Sequence, residues 1–279
     1  MNKSNKYIPW LIFVIILLTI PWIYIYWQSH SLNTNSPTNS NTGSSTAEST
    51  KNLPVEIKNY SYDLYPGEDK EVVLEYPEIK SGLLSAQMTG KINAEISSTT
   101  KTQFDSNVND LKETISAETP EANAMELLEY NQVVIPEKVY LNTSANVFSY
   151  ISYEQSYTGG AHGLHAYSSN VIDTKTGLKL EMNSFLNTDF DKVETAFLRN
   201  HLSNAILKND GTCDGCDRLS DSDWWSTAEK ITPDGYALTA DGIIFLFNDY
   251  NLGSYVASGG GQLLFVPKAD LAKYIIRPW

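Results

Sequence analysis

Gly242-Ile-Ile-Phe-Leu-Phe247 reads as the clearest buried strand of the chain, a short continuous apolar run bounded by polar residues. Leu263-Leu-Phe-Val266 reads as a second strand, closed by a terminal helical turn around Leu271. Upstream, Phe190, Val193, Phe197, Leu198, Leu202 and Ile206 stripe one helix, with Asn187 or Thr188 as its cap. A longer stripe, Ile92, Ile96, Phe104, Val108, Leu111 and Ile115, marks another. Val55 to Tyr60 and Glu71 to Tyr76 read as strands, with a turn at Tyr65-Pro-Gly67. Three extended runs lie between the helices: Met125–Val134, Val139–Tyr157 and Leu164–Asp173. Asp173-Thr-Lys-Thr-Gly177 supplies a tight hairpin turn in which Gly177 takes positive φ. Strands in runs, interrupted by helices, predict an α+β fold: a largely antiparallel sheet with two long packed helices.

One transmembrane helix and a disordered linker are expected to precede that domain. Ile8 to Trp27 carry no charged side chain, and about 20 helical residues cross the roughly 30 Å of a bilayer core. Pro9 sits at the entry, and Trp10 at one end with Trp22, Tyr24, Tyr26 and Trp27 at the other suit the two interfaces. Lys3 and Lys6 precede the span, whereas the first base after it is Lys51. The positive-inside rule therefore places residues 1–7 in the cytoplasm and the rest outside, a single-pass protein of the cell membrane. A cleaved secretory signal is the alternative; the apolar run exceeds the usual length and no small-x-small site follows directly. Both readings export the domain. Residues 28–52, rich in Ser, Thr, Asn, Gly and Pro, bury too little apolar surface to order and read as a tether.

Charge narrows the partners. The net charge is −13, and all acidic residues follow Ala47. An exported domain so acidic does not track phosphate backbones, which excludes nucleic acid and suits a cationic partner or simple solubility.

Three stretches carry a family resemblance. They are Glu75-Tyr-Pro-Glu-Ile79 with Lys91-Ile-Asn-Ala-Glu-Ile96; Ser156-Tyr-Thr-Gly-Gly-Ala-His162; and Leu238-Thr-Ala-Asp-Gly-Ile-Ile-Phe-Leu-Phe-Asn-Asp-Tyr250 running on to Gly253-Ser-Tyr-Val-Ala257. In this order they resemble the paired DUF4163 and DUF3298 domains of bacteria, a DUF4163-like part over 53–135 and a DUF3298-like part over 136–279. Similar domains form the extracytoplasmic part of a lysozyme-sensing anti-sigma factor and the N-terminal region of some peptidoglycan deacetylases. The resemblance implies an envelope binding module for a lysozyme-like cationic protein or for peptidoglycan. A cell-wall glycan-modifying enzyme, or an accessory domain of one, is the alternative. The seven residues before the span are too few for a sigma-binding helix, and no separate metal-binding catalytic domain is expected. A regulator whose ectodomain is cut on ligand binding is a third reading.

The candidate site residues follow from chemistry weighed against structure. Tyr157, Gly159, Gly160, His162 and His165 form one group, Trp224 and Trp225 another. His162 and His165 either bond the backbone of a glycine turn, touch a ligand, or begin a zinc site that still lacks a third ligand. Ser156 and Thr158 near His162 lack an orienting carboxylate and a Gly-x-Ser-x-Gly elbow, so no complete catalytic set is present. Neither metal nor cofactor is expected. Cys213 and Cys216 are expected to close a small disulfide in an exported domain. The acids around them, Asp210, Asp214, Asp217, Asp221 and Asp223, read as a solvated loop or a weak cation site. The Trp224-Trp225 pair is either core packing or an exposed platform for sugars or a protein.

Overall fold

The computed structural model describes residues 54–63, 71–117, 131–157, 163–209, 211–219, 223–254 and 261–279. The expected span at 8–27 and the linker at 28–52 lie outside them, as does the turn at Tyr65-Pro-Gly67. Among the described residues no helix is long and apolar enough to cross a membrane.

The strands are β1 (Val55–Asp63), β2 (Glu71–Ile79), β3 (Asn131–Asn142), β4 (Val147–Tyr157), β5 (Leu164–Asp173), β6 (Cys213–Asp214), β7 (Gly235–Leu238), β8 (Gly242–Phe247) and β9 (Gln262–Pro267). The helices are α1 (Ala86–Ala117), α2 (Thr188–Asp191), α3 (Glu194–Lys208) and α4 (Lys268–Leu271). The fold is α+β, but with two sheets rather than one. A five-stranded sheet runs β1-β2-β3-β4-β5, and a four-stranded sheet runs β6-β9-β8-β7. Pairing is antiparallel except for β2 with β3, which run parallel because α1 carries the chain across between them.

Alternation along β4 builds the layers. Phe148 and Tyr150 face the α1 side, where Ile92 and Ile96 pack with Tyr76 and Ile79, and Phe104, Val108 and Leu111 pack with Val72, Leu74 and Val134. Ile151 faces the second sheet and meets Ala237, Ile244, Leu246 and Leu263. The other face of β8, through Ile243, Phe245 and Phe247, packs with Leu198 and Leu202 of α3 and with Trp225, Phe185 and Phe190. All six residues of β8 are therefore buried. A strand covered on both faces needs no polar alternation, which is why its sequence is an apolar run.

Local signals set the ends. Ser85 Oγ accepts the Met88 N–H ahead of α1 (3.3 Å), and Asn187 Oδ1 accepts the Asp189 and Phe190 N–H groups ahead of α2. The single helix expected from Phe190 to Ile206 is interrupted at Lys192 and Val193, giving α2 and α3. The expected run Val139–Tyr157 is likewise two strands. Asn142 Oδ1 accepts the Ser144 and Ala145 N–H groups, and Asn146 is left-handed at φ 57°, so the chain reverses between β3 and β4. Gly177, at φ 73°, closes the turn after β5 as the sequence suggests. The boundary between the 53–135 and 136–279 parts falls inside β3.

Candidate functional site

β5 is the outer strand of its sheet, so its outward backbone groups need partners from elsewhere. The Asn248-Asp249 corner at the end of β8 supplies them. Asn248 Oδ1 accepts the Tyr167 N–H (2.6 Å) and its Nδ2 donates to the Tyr167 carbonyl (3.2 Å). One side-chain amide thus replaces a peptide group of a neighbouring strand. Asp249 Oδ2 accepts the His165 N–H (3.1 Å). The corner is fixed in turn by Asp234, whose Oδ2 accepts the Asn248 N–H (2.7 Å) and the Asn251 Nδ2 (3.0 Å). The start of β5 and the Asn-Asp-Tyr end of the late apolar motif are thereby locked together.

Three rings line up beside this joint. Tyr153 of β4 lies directly opposite Tyr167 of β5, with ring centroids 5.2 Å apart and planes tilted by 47°. His165 stacks on Tyr153 at 6.0 Å and 10°. Its Nδ1 is buried without a hydrogen-bond partner among the described residues. Next to the tyrosines lies a cavity of about 300 Å³, lined by Tyr153, Tyr167, Asp214, Gly215, Asp217, Arg218 and Gly261.

The wall opposite the tyrosines is the disulfide loop. Cys213 and Cys216 are bonded, with Cα atoms 5.5 Å apart, as their spacing suggests. Between them Gly215 takes φ 78°, and a Cβ there would stand 2.5 Å from the Gly261 carbonyl oxygen. Gly261 is equally constrained: at φ 73° its Cβ would meet the Phe247 carbonyl oxygen at 2.8 Å and the Tyr167 ring at 3.1 Å. Glycine at both positions lets two backbones and a ring close around the cavity.

A β-bulge displaces another carboxylate, which does not itself line the cavity. Pro136 pairs with Ser152 but Lys138 with Ile151, leaving Glu137 as the extra residue. Desolvation pushes the Glu137 carboxyl above its ordinary range, opposed next by the Lys138 charge and helped least by that of Asp214. Burial first, then the charges of Glu137 and Asp214, push the Tyr167 hydroxyl up as well.

The residues singled out in the sequence divide. His165 flanks the cavity, and the Cys213–Cys216 loop forms one wall. Gly159, Gly160, His162 and the side chain of Tyr157 lie outside the described residues. The Trp pair does not form a platform: Trp225 is fully buried in the main core while Trp224 is 46 % exposed. Neither lines the cavity. Among the described residues no group of three His, Cys, Asp or Glu side chains is arranged to hold a metal ion. Tyr153, Tyr167, Glu137, Arg218 and Gly261 were not singled out. Pro136 within an extended run is a bulge signal and pointed to Glu137. No local signal marked the two tyrosines.

Comparison with family models and with curated proteins gives no significant match. Solved structures do. A DUF3298 family member from Bacteroides fragilis superposes with a TM-score of 0.54 at 17 % identity, over 79 % of this chain and 93 % of that one. A DUF3298 family protein from Pseudomonas aeruginosa gives 0.50 at 17 %, over 80 % and 94 %. The fold is that of DUF3298 family proteins. At this identity the likeness concerns architecture, over most of both solved chains.

Proposed function

We propose that the chain is an extracytoplasmic binding module of the bacterial cell envelope, held at the membrane by residues 8–27, that recognises a cationic, lysozyme-like protein. The observation that carries this reading is the cavity lined by Tyr153, Tyr167, Asp214 and Asp217, with Arg218 as its one cation among the described residues, in a chain of net charge −13. Aromatic faces beside carboxylates attract cations, and an acidic domain draws a basic protein toward it by long-range steering. The DUF3298 fold supports the reading, as does the ordered resemblance of the sequence to DUF4163 and DUF3298 ectodomains.

Retention of hen lysozyme and of purified peptidoglycan on the immobilised chain tests it. Lysozyme is expected to be held at low salt and released as ionic strength rises, because the Debye length falls from about 30 Å at 0.01 M to 3 Å at 1 M. Retention of neither material at low or moderate salt removes the proposal; retention of peptidoglycan alone replaces the protein ligand by glycan. The anchor has its own test. The protein should stay in the membrane pellet after alkaline carbonate washing, and release into the supernatant would refute the span.

A further inference from the structure

The cavity beside the tyrosine pair is small, and carboxylates outnumber cations in its lining by two to one. Its volume of about 300 Å³ lies at the lower limit of small-molecule sites, which run from about 300 to 1,000 Å³. That is room for one side chain rather than a glycan strand. Two tyrosines whose rings are tilted by 47° to each other are among its lining residues. Asp214 and Asp217 come from the disulfide loop opposite. Glu137, turned out of register by the bulge, lies close enough to Asp214 and Tyr167 to act on both. Arg218 also lines the space, and Lys138 neighbours Glu137. Burial is the main cause of the raised Tyr167 hydroxyl, with the charges of Glu137, Asp214 and Tyr153 behind it.

We infer that this cavity is a receptor for a single cationic side chain, arginine or lysine, presented by a protein partner and held by the Tyr153 and Tyr167 side chains and the carboxylates of Asp214 and Asp217. The inference rests on the binding reading above and names the contact through which it works. The cavity is formed by three separate parts of the chain: strands β4 and β5, the Cys213–Cys216 loop and Gly261. Glycines at 215 and 261 keep its walls close. A guanidinium stacks on aromatic faces and bonds carboxylates in a fork, so arginine should bind more tightly than lysine.

The test uses the full chain in a non-ionic detergent with blocked tripeptides Gly-Arg-Gly, Gly-Lys-Gly and Gly-citrulline-Gly, and with the disaccharide of N-acetylglucosamine, followed by saturation-transfer NMR. The arginine peptide is expected to bind, the neutral citrulline isostere not to, and affinity to fall with salt. Asp214→Asn and Asp217→Asn, both at exposed positions that line the cavity, are each expected to weaken binding by about fivefold, from the usual size of a partly exposed ion pair. Equal binding of arginine and citrulline peptides overturns the inference. So does binding of the disaccharide alone, or affinity unchanged within twofold in both variants. The two proposals fail separately. Lysozyme retained undiminished in the presence of saturating arginine peptide sinks the cation pocket only. Arginine peptide bound without lysozyme retention sinks the choice of partner only.

Discussion

Replacing Asn248 with alanine tests the joint on which the site is built. The change removes two hydrogen bonds, to the N–H and the C=O of Tyr167. It leaves the Asp249–His165 contact in place. Each lost bond is worth about 0.5–1.5 kcal/mol net, so the pair should cost about 2 kcal/mol. In a domain of this size 1 kcal/mol corresponds to roughly 2–4 °C, giving a fall in Tm of roughly 4–8 °C. Asn248→Asp separates the two bonds, since it retains the acceptor for the Tyr167 N–H but turns an acceptor toward the Tyr167 carbonyl. It should be at least as destabilising as alanine near neutral pH. Urea unfolding gives the global number, and hydrogen exchange gives the local one. The segment carrying His165 and Tyr167 should exchange faster in Asn248→Ala, while β8, buried on both faces, keeps its protection apart from the global loss. Combined with Asp249→Ala the effects should be non-additive, because both side chains hold the same strand edge. A change below about 0.5 kcal/mol, the range of an ordinary surface substitution, with unchanged exchange at Tyr167 would refute the claim that this amide joins the two motifs.

Trp225→Ala, emptying a fully buried position, should cost about 3–5 kcal/mol, whereas Trp224→Ala at a 46 % exposed site should stay within about 0.5 kcal/mol; denaturant melts of the two variants compare them directly. Reducing Cys213–Cys216, a loop with a sequence separation of 3, should lower stability by about 2 kcal/mol on the loop-entropy relation, measured as Tm with and without a phosphine reductant. Asp173 reports on acid. Burial raises its carboxyl, but the Arg277 hydrogen bond (2.9 Å), the N–H groups of Lys175 and Thr176 and the Arg277 charge outweigh it, so its pKa lies below the ordinary value. A depressed carboxyl stabilises the fold above the unfolded pKa, about 4, and that stability is lost as pH falls through the folded value. Asp173→Asn should therefore be less stable at pH 7 and show a shallower loss below about pH 4, read from urea midpoints across that range.

Much of the architecture was legible because it depends on near neighbours. The stripe from Ile92 to Leu111 faces one sheet, as its spacing implies. The apolar runs at 242–247 and 263–266 are strands. Asn187 caps, Gly177 turns, and two cysteines three apart are bonded. Where the reading overran, short-range detail was the cause. Asn142 and Asn146 reverse a run that hydropathy alone continues, and a break at Lys192-Val193 divides a stripe that periodicity alone joins. The site was less legible. Its acids and cysteines were noticed as a loop, and His165 as half of a pair. Its tyrosines look like ordinary strand residues until the sheets are assembled.

The sequence by itself determined the element types, the acidic charge and the disulfide, since each follows from side-chain chemistry within a few residues. Tertiary structure alone decided the rest. It split the strands into two sheets and sent Trp225 inward and Trp224 out. It brought Asn248 to Tyr167 across a separation of 81 residues, and set Glu137 from β3 near Asp214 from β6. The physical reason is that a strand edge has no partner of its own. Its unpaired amides are satisfied by whichever distant segment the closed chain delivers, and the cavity forms where that segment arrives.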